Sequence, residues 1–416
     1  MAKLAVRGGK KLIDRPIGKP WPIFDEREER ALMEVLHSGK WWRGGYDDPK
    51  QSKVGQAEEA FARYQDAKYG VAVTNGTAAL ECALRAGGIE PGDEVIVPAV
   101  TFVATATAPI MCGAIPVFAD IRPADYNIDP DHVESLITPR TRAIIPVDYG
   151  GVPVDLDRLG EIAKRHGLLM INDCAHSHGS EWKGRKVGAI GDMGAFSFQM
   201  GKTLTCGEGG MVLTDSEELA QKLFSYHHIG RIPGRPFYEH HVAASNLRMT
   251  EWQAAVLLTQ LERFDEQARI RDANARYLNA GLAEIPGVAP LTIDERVTRW
   301  CFYFFHFKFI EEEWGGVTRD QFLEALRAEG VPCHTGHTDP VYWNPLFQQH
   351  NFIEGGCKQH ERRTDYTKVK CPEAERVYQH EAVCLNHQLF LGGKDDMDLI
   401  LDAIRKIREN ADELRN

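Results

Sequence analysis

Lys202 is the only charged residue in the run Gly194-Ala195-Phe196-Ser197-Phe198-Gln199-Met200-Gly201-Lys202-Thr203-Leu204-Thr205-Cys206-Gly207. Apolar neighbours disfavour an ammonium ion and lower its pKa towards neutrality, which makes the amine a nucleophile. A surface lysine is the bland alternative, and the flanking apolar residues and glycines argue against it. A second group is Asp173, which follows the apolar run Leu168-Leu169-Met170-Ile171 and Asn172. A carboxylate there is costly to desolvate unless it meets a cation or strong donors. A protonated pyridine nitrogen would be one such partner. A metal held by Asp173, His176 and His178 is the competing answer, at a loose spacing for metal ligands. The third group is Thr74-Asn75-Gly76-Thr77-Ala78-Ala79-Leu80, a polar turn opening an Ala/Leu-rich helix. Free N–H groups at a helix start bind phosphate, Gly76 permits close approach and Thr77 adds a hydroxyl. Simple N-capping by Asn75 or Thr77 explains the same residues.

Common nucleotide motifs fail. Gly201-Lys202-Thr203 imitates the end of a P-loop, yet Phe196 stands where that motif needs glycine. Neither a dinucleotide-binding G-x-G-x-x-G after the first strand nor a G-x-S-x-G nucleophile elbow is present. A nucleophilic lysine able to form a Schiff base, an acid for a pyridinium nitrogen and a phosphate cradle together describe a pyridoxal phosphate site.

The elements that must position these groups are short β-branched runs alternating with helical stretches between Tyr69 and Asp215. The runs are Val71–Thr74, Glu94–Val97, Ile115–Phe118, Ala143–Val147 and Leu168–Ile171, with helical patterns such as Asp155–His166 between them. That alternation predicts a mainly parallel sheet covered on both faces, with ligands outside the carboxyl ends of the strands. One long amphipathic helix is expected over Thr250–Ile285, leading out of the large domain. A smaller α/β domain follows, with a strand at Trp300–Phe309 and helices at Thr318–Ala328 and Asp395–Glu409. Gly355-Gly356 falls in a weakly periodic region, residues 348–370, that reads as an extended loop.

The chain has 416 residues, 43% hydrophobic and 26% charged, with a net charge of −11, values of an ordinary globular protein with room for a large core. The absence of a dense Lys/Arg block argues against nucleic acid as a partner. Met1–Asp14 lacks the apolar core of a signal peptide and no apolar run approaches membrane-spanning length, so a soluble, cytoplasmic protein is expected. Nine scattered cysteines suggest reduced, mostly buried thiols.

With these residues in hand, the chain resembles the DegT/DnrJ/StrS sugar aminotransferases. The resemblance rests on Thr74–Leu80, Val97-Pro98-Ala99-Val100-Thr101-Phe102, Asp173-Cys174-Ala175-His176, Phe196-Ser197-Phe198 with Lys202, Gly207-Glu208-Gly209-Gly210 and Asn246-Leu247-Arg248-Met249, in the family's order. It implies fold type I of the pyridoxal-phosphate enzymes, with a large, mainly parallel seven-stranded sheet domain and a smaller C-terminal α/β domain. The corresponding division is 1–55, 56–264 and 265–416. Lys202 would carry pyridoxal 5′-phosphate as a Schiff base, and Asp173 would pair with its pyridine nitrogen. Gly76, Thr77 and Ser197 would hold the phosphate, Phe102 would stack on the ring and His176 would lie beside the cofactor. Asn246 would reach the phosphate in a neighbouring subunit, implying a homodimer with shared sites. No metal is implied, and Cys333-His334 with His337, and Cys384 with His387, read as packing and pocket residues.

Trp21-Pro22, Gly39–Gly45 and Leu385-Asn386-His387 resemble the branch of 3-amino-5-hydroxybenzoate synthase and the cyclitol aminotransferases. The expected reaction moves an amino group from glutamate or glutamine to a keto-sugar or keto-cyclitol, in antibiotic or polysaccharide biosynthesis. Two alternatives stand beside it. One is dehydration: the sugar 3-dehydratases of this family have His where Lys202 stands, whereas the aromatising synthase retains Lys. The other is a non-catalytic sensor, for which a defective Lys or Asp is expected and neither is seen. The segment His227–His241, rich in His, Arg and Tyr, is expected to border the substrate pocket.

Overall fold

A computed structural model of the protein describes residues 3–352 and 364–415; Gly355-Gly356 lies outside the described residues. The large unit is built on strands β1 (Tyr69–Val73), β2 (Glu94–Pro98), β3 (Ile115–Ala119), β4 (Thr141–Ile144), β5 (Leu169–Asp173), β8 (Met193–Ser197) and β9 (Gly210–Thr214). A two-stranded excursion, β6 (Glu181–Trp182) and β7 (Arg185–Lys186), lies between β5 and β8. The seven strands form one sheet in the order β1-β9-β8-β5-β4-β2-β3, in which β9 runs antiparallel to both neighbours and the other pairings are parallel. This is the mainly parallel, doubly covered α/β sheet that the alternating pattern predicts.

Period-two alternation divides the strand side chains between two cores. Ala72, Ile96, Ile144 and Met170 enter one, while Val71, Val73, Val95, Val97, Ala143 and Ile171 enter the other. The helices of the large unit are α1 (Glu26–Ser38), α2 (Lys53–Tyr64), α3 (Gly76–Ala86), α4 (Ala104–Met111), α5 (Pro130–Ser135), α6 (Leu156–His166) and α7 (Glu217–His227). Phe61 of α2 and Leu159 and Ile162 of α6 fill the first core; Leu80 and Leu84 of α3 and Leu223 of α7 fill the second. Helix α6 shows how local chemistry sets these elements: Asp155 caps its start by accepting from Arg158 N–H, and Gly167 ends it in a left-handed conformation at φ 64°. Between those signals Leu156, Leu159, Ile162 and Ala163 share the buried face.

Thr250 and Gln253 form a capping box at the start of α8 (Glu251–Leu282), whose 32 residues span about 48 Å. Its first half packs on α1 and α2, and its second half on β10 (Val288–Pro290) and the helix Lys394–Glu409. Residue 264 falls inside this continuous helix, so the helix belongs to both sides of the division drawn there. Beyond it, β11 (Val297–Arg299) pairs with β6, and β12 (Phe304–Phe309) lies between β10 and β13 (Ala382–Asn386) in an antiparallel sheet; α9 (Arg319–Ala328) packs against β13. The strand expected from Trp300 begins only at Phe304. Cys301 N–H instead donates to Ser180 Oγ (3.0 Å) and Tyr303 N–H to Gly150 O (3.0 Å), so this stretch is tied to loops of the large unit.

The N-terminal segment crosses back to the C-terminal unit. Leu4 N–H donates to Glu413, Ala5 and Leu12 N–H to Glu329, and Gly18 N–H to Asp396. No helix among the described residues is long and apolar enough to cross a membrane. The eight described cysteines are all free and buried.

Candidate active site

The carboxyl ends of β1, β5 and β8 meet the start of α3. Asn75 caps α3, its side chain accepting from Ala78 N–H at 2.8 Å, and among the described residues the N–H groups of Gly76 and Thr77 at the same helix start have no acceptor. Gly76 is required by crowding: a Cβ there would lie 2.6 Å from Ser197 Cβ at the end of β8. Gly210 abuts the same turn, where a Cβ would fall 2.3 Å from Asn75 O. Capping and cradle are therefore compatible, with one side chain serving the helix and two N–H groups remaining for an anion.

Asp173 ends β5 and is buried. Its Oδ2 accepts from Thr105 Oγ1 at 2.8 Å and its Oδ1 from Ala175 N–H at 3.2 Å. Burial pushes its pKa above the ordinary value, opposed by these two donors and by Lys202. Thr105 is itself 2.8 Å from Thr101 Oγ1. Since the one hydroxyl hydrogen of Thr105 points at Asp173, Thr101 must be the donor in that contact. A second carboxylate, Asp148, braces the turn after β5 by accepting from Ser177 Oγ (2.7 Å) and Val154 N–H (3.0 Å). Burial raises it to about 6.

Lys202 is half-buried in the turn after β8, with its N–H bonded to Gln199 O at 2.8 Å and its Nζ 4.2 Å from the centre of the Tyr303 ring. Burial lowers its pKa to about 8, against an opposing pull from Asp173. The turn is held from two sides: Trp21 Nε1–H donates to Met200 O (2.8 Å) and His387 Nε2–H to Gly201 O (3.0 Å), while the two rings meet edge-on at 4.7 Å. His178 supports it from below through Nε2–H to Ser197 O (2.8 Å), leaving Nδ1 to accept from the Thr203 hydroxyl at 3.4 Å.

These histidines are neutral. Burial and the nearby Lys202 hold His176 well below its ordinary pKa; burial and the same charge bring His178 to about 3 and His337 to about 4. His176 is buried, stands 4.7 Å from the Tyr303 ring, and its Nδ1 has no partner in the protein. Phe102 is exposed at the edge of this group, 5.6 Å from the His337 ring. Asn246 is exposed on the single chain and pairs with His228 in a short bridge.

The structure thus gathers Gly76, Thr77, Phe102, Asp173, His176, Ser197 and Lys202 around one end of the sheet, while Asn246 sits beside β1 on the molecular surface. Thr105, Tyr303, Trp21 and His337 join the site without having been singled out as working groups. Thr105 had one readable signal, a hydroxyl at the start of an apolar helix placed after a strand. Around Asn246, His228 lies between two arginines, with Arg248 3.2 Å from Nδ1 and Arg231 3.4 Å from Nε2. Among the described residues no group of three or more His, Cys, Asp or Glu is placed to hold a metal ion.

Comparison with known proteins gives the same direction. A family model described as the DegT/DnrJ/EryC1/StrS aminotransferase family matches residues 22–404. A relative from Micromonospora echinospora named "Putative L-glutamine:3-amino-2,3-dideoxy-scyllo-inosose aminotransferase" is 41% identical over 425 residues, 99% of each chain. Two solved structures are also similar. A 3-amino-5-hydroxybenzoic acid synthase is 35% identical with a TM-score of 0.82, covering 94% of this chain and 99% of that one. An aminotransferase from Psychrobacter cryohalolentis is 30% identical with a TM-score of 0.85, covering 95% and 100%.

Proposed function

The chain belongs to the DegT/DnrJ/EryC1/StrS aminotransferase family, and on that premise we propose that it carries pyridoxal 5′-phosphate on Lys202 and transfers the amino group of glutamine or glutamate to a keto-cyclitol. The observation that carries this reading is the pairing of Lys202, lowered to about 8 by burial, with the buried Asp173 across a site otherwise walled by neutral histidines and aromatic rings. The site suits the cofactor in three further respects. Gly76 keeps the phosphate cradle open, and among the described residues two backbone N–H groups there lack acceptors and His176 Nδ1 is a buried polar atom without a partner.

When bound, pyridoxal phosphate supplies an aldehyde that condenses with amines and a pyridinium ring that accepts electrons from the carbon being deprotonated. At pH 7.5 about a quarter of Lys202 with a pKa near 8 is the free amine, against about 0.1% at the ordinary value. Its Nζ can therefore take a proton from the donor's Cα and return it. Asp173, anchored by Thr105 and Ala175, holds a proton on the pyridine nitrogen. Gly76, Thr77 and Ser197 would hold the phosphate and Phe102 and His176 would lie beside the ring, while Trp21 with His387 fixes the turn that carries Lys202. The active unit is a homodimer in which Asn246, exposed on the same chain segment as Phe237, Tyr238 and Val242, meets the other subunit. Unpaired buried cysteines suit a cytoplasmic setting.

Borohydride reduction of the holoenzyme followed by peptide mass spectrometry is expected to place the added mass on Lys202, and Lys202→Ala is expected to lose the near-visible absorbance. Added mass on another residue, or none, refutes the reading. Supplying glutamine, glutamate and keto-cyclitols in turn then identifies donor and acceptor; an aromatic product formed without donor consumption would assign the aromatising chemistry instead.

A further inference from the structure

Arg271, in the second half of α8, is 1% exposed, and all three of its guanidinium nitrogens lack a hydrogen-bond partner among the described residues. It makes no ion pair there either. The fold treats other buried arginines differently. Arg263, earlier on the same helix, donates to Glu28 Oε1 at 2.8 Å and to Ile23 O at 2.7 Å, and Arg319 donates to Asp320 Oδ1 at 2.8 Å and to Tyr378 O at 2.7 Å. An unpaired buried cation lowers stability, and an apolar side chain of similar length would fill the same space without that penalty. The charge of Arg271 therefore asks for a task other than holding the fold together.

What the guanidinium meets is an aromatic face. Its central carbon lies 5.3 Å from the centre of the Trp21 ring, within the range of a cation–π contact. Trp21 is the residue whose Nε1–H holds Met200 O, and its ring meets that of His387, whose Nε2–H holds Gly201 O. Those two carbonyls belong to the two residues that precede Lys202. The cation thus backs both braces of the lysine turn. One edge of the indole is fixed by its N–H and its face by the guanidinium, so the ring cannot tilt without losing one contact or the other.

The charge reaches the bracing histidines as well. After burial it is the largest influence holding His387 below its ordinary pKa, and it acts in the same direction on His178. A second proton on His387 would put a donor on its buried, unpartnered Nδ1, and one on His178 would take up the Nδ1 lone pair that accepts from Thr203. Either change would disturb the turn that carries the amine.

We propose that Arg271 is a positioning residue for the transfer reaction: its unpaired guanidinium, packed on Trp21, sets the Met200-Gly201-Lys202 turn so that the lysine amine is aimed at the cofactor. It acts through Trp21 and His387. This rests on the lysine assignment above and names what aims that side chain.

The test reads activity and stability together. Arg271→Met removes the charge and keeps an unbranched side chain. The donor half-reaction of the holoenzyme is expected to slow about 10-fold in maximal rate, with the half-saturating donor concentration changed by less than about twofold, because a small misplacement of a reacting group is costly. The urea midpoint of the cofactor-free variant is expected to equal or exceed that of the wild type, since a buried charge without a partner has been removed. Arg271→Lys, which keeps a cation able to face the indole, is expected to restore the rate to within about threefold. In a Trp21→Leu background, where the intermediary is gone, Arg271→Met is expected to slow the reaction no further. An unchanged rate in Arg271→Met, a fall in its urea midpoint, methionine and lysine variants that behave alike, or additive effects of Trp21→Leu and Arg271→Met would each overturn the proposal. A wild type that gains no near-visible absorbance when the cofactor is added tells instead against the lysine assignment, and this inference then falls with it.

Discussion

Thr105→Val isolates the contribution of a single buried hydroxyl to the Asp173 carboxylate. The substitution keeps the shape of the side chain and removes the donor that stands 2.8 Å from Asp173 Oδ2. A hydrogen bond to a charged group contributes about 1.5–3 kcal/mol, which at about 1.4 kcal/mol per unit corresponds to one to two pKa units. Burial already pushes Asp173 upward. Losing the donor pushes it further in the same direction, so the ionised form needed opposite a pyridinium nitrogen appears only at higher pH. The expected outcome is an acid limb of the kcat/KM profile displaced upward by about one to two units, with cofactor affinity at neutral pH reduced by about 10-fold or more. Equilibrium dialysis of the cofactor and the pH profile of the donor half-reaction measure the two effects. Thr105→Ser should restore both. A Thr105→Val enzyme with wild-type affinity and an unmoved acid limb would show that Asp173 does not depend on this donor.

Two further perturbations follow from the same geometry. Gly76→Ala places a Cβ 2.6 Å from Ser197 Cβ, and the resulting shift of β8 against α3 is expected to cost about 1–3 kcal/mol and to weaken phosphate binding by at least about 10-fold; unchanged cofactor dissociation would refute the cradle. The cofactor-free protein is expected to be acid-labile. His178, His227 and His306 are buried and depressed to about 3, so the unfolded chain binds protons near pH 6.5 that the folded chain refuses. Their stabilisation is present above pH 6.5 and is lost as pH falls, by roughly 2 kcal/mol each at pH 5. Asp148, raised to about 6, acts in the opposite sense and returns roughly 1 kcal/mol. Urea unfolding should therefore show lower stability at pH 5 than at pH 7, and equal midpoints would contradict neutral, buried histidines.

The parts of the site legible in the sequence are those whose cause is local. Lys202 stands out because its own neighbours exclude charge, Asp173 because it follows an apolar strand, and Gly76 because a turn and a helix start adjoin. The roles of Thr105, Tyr303 and Trp21 were not legible, although Thr105 carried a hydroxyl at a helix start and Trp21 belonged to a branch motif, because each acquires its role from a partner at least 68 positions away along the chain, as Thr105 does from Asp173. The strands show the same division. The run Ala143–Val147 is hydrophobic throughout, yet β4 stops at Ile144, where Pro146 lacks an N–H to continue the ladder. Pro116 is tolerated in β3 because that strand lies at the edge of the sheet. The long helix was recognisable as a charged, amphipathic stretch without Pro or Gly until Gly281, whereas its passage from one unit to the other depends on what packs against each half.

The backbone bonds from Leu4, Ala5 and Leu12 to Glu413 and Glu329 impose an order on biosynthesis. Those early residues leave the ribosome long before their acceptors exist, so they must wait, unpaired, while the sheet assembles behind them. Translation of Glu329 and then of Glu413 supplies the acceptors that complete this docking. A nascent chain arrested before Glu329 should consequently leave residues 4–12 open to protease, and extension beyond Glu413 should close them.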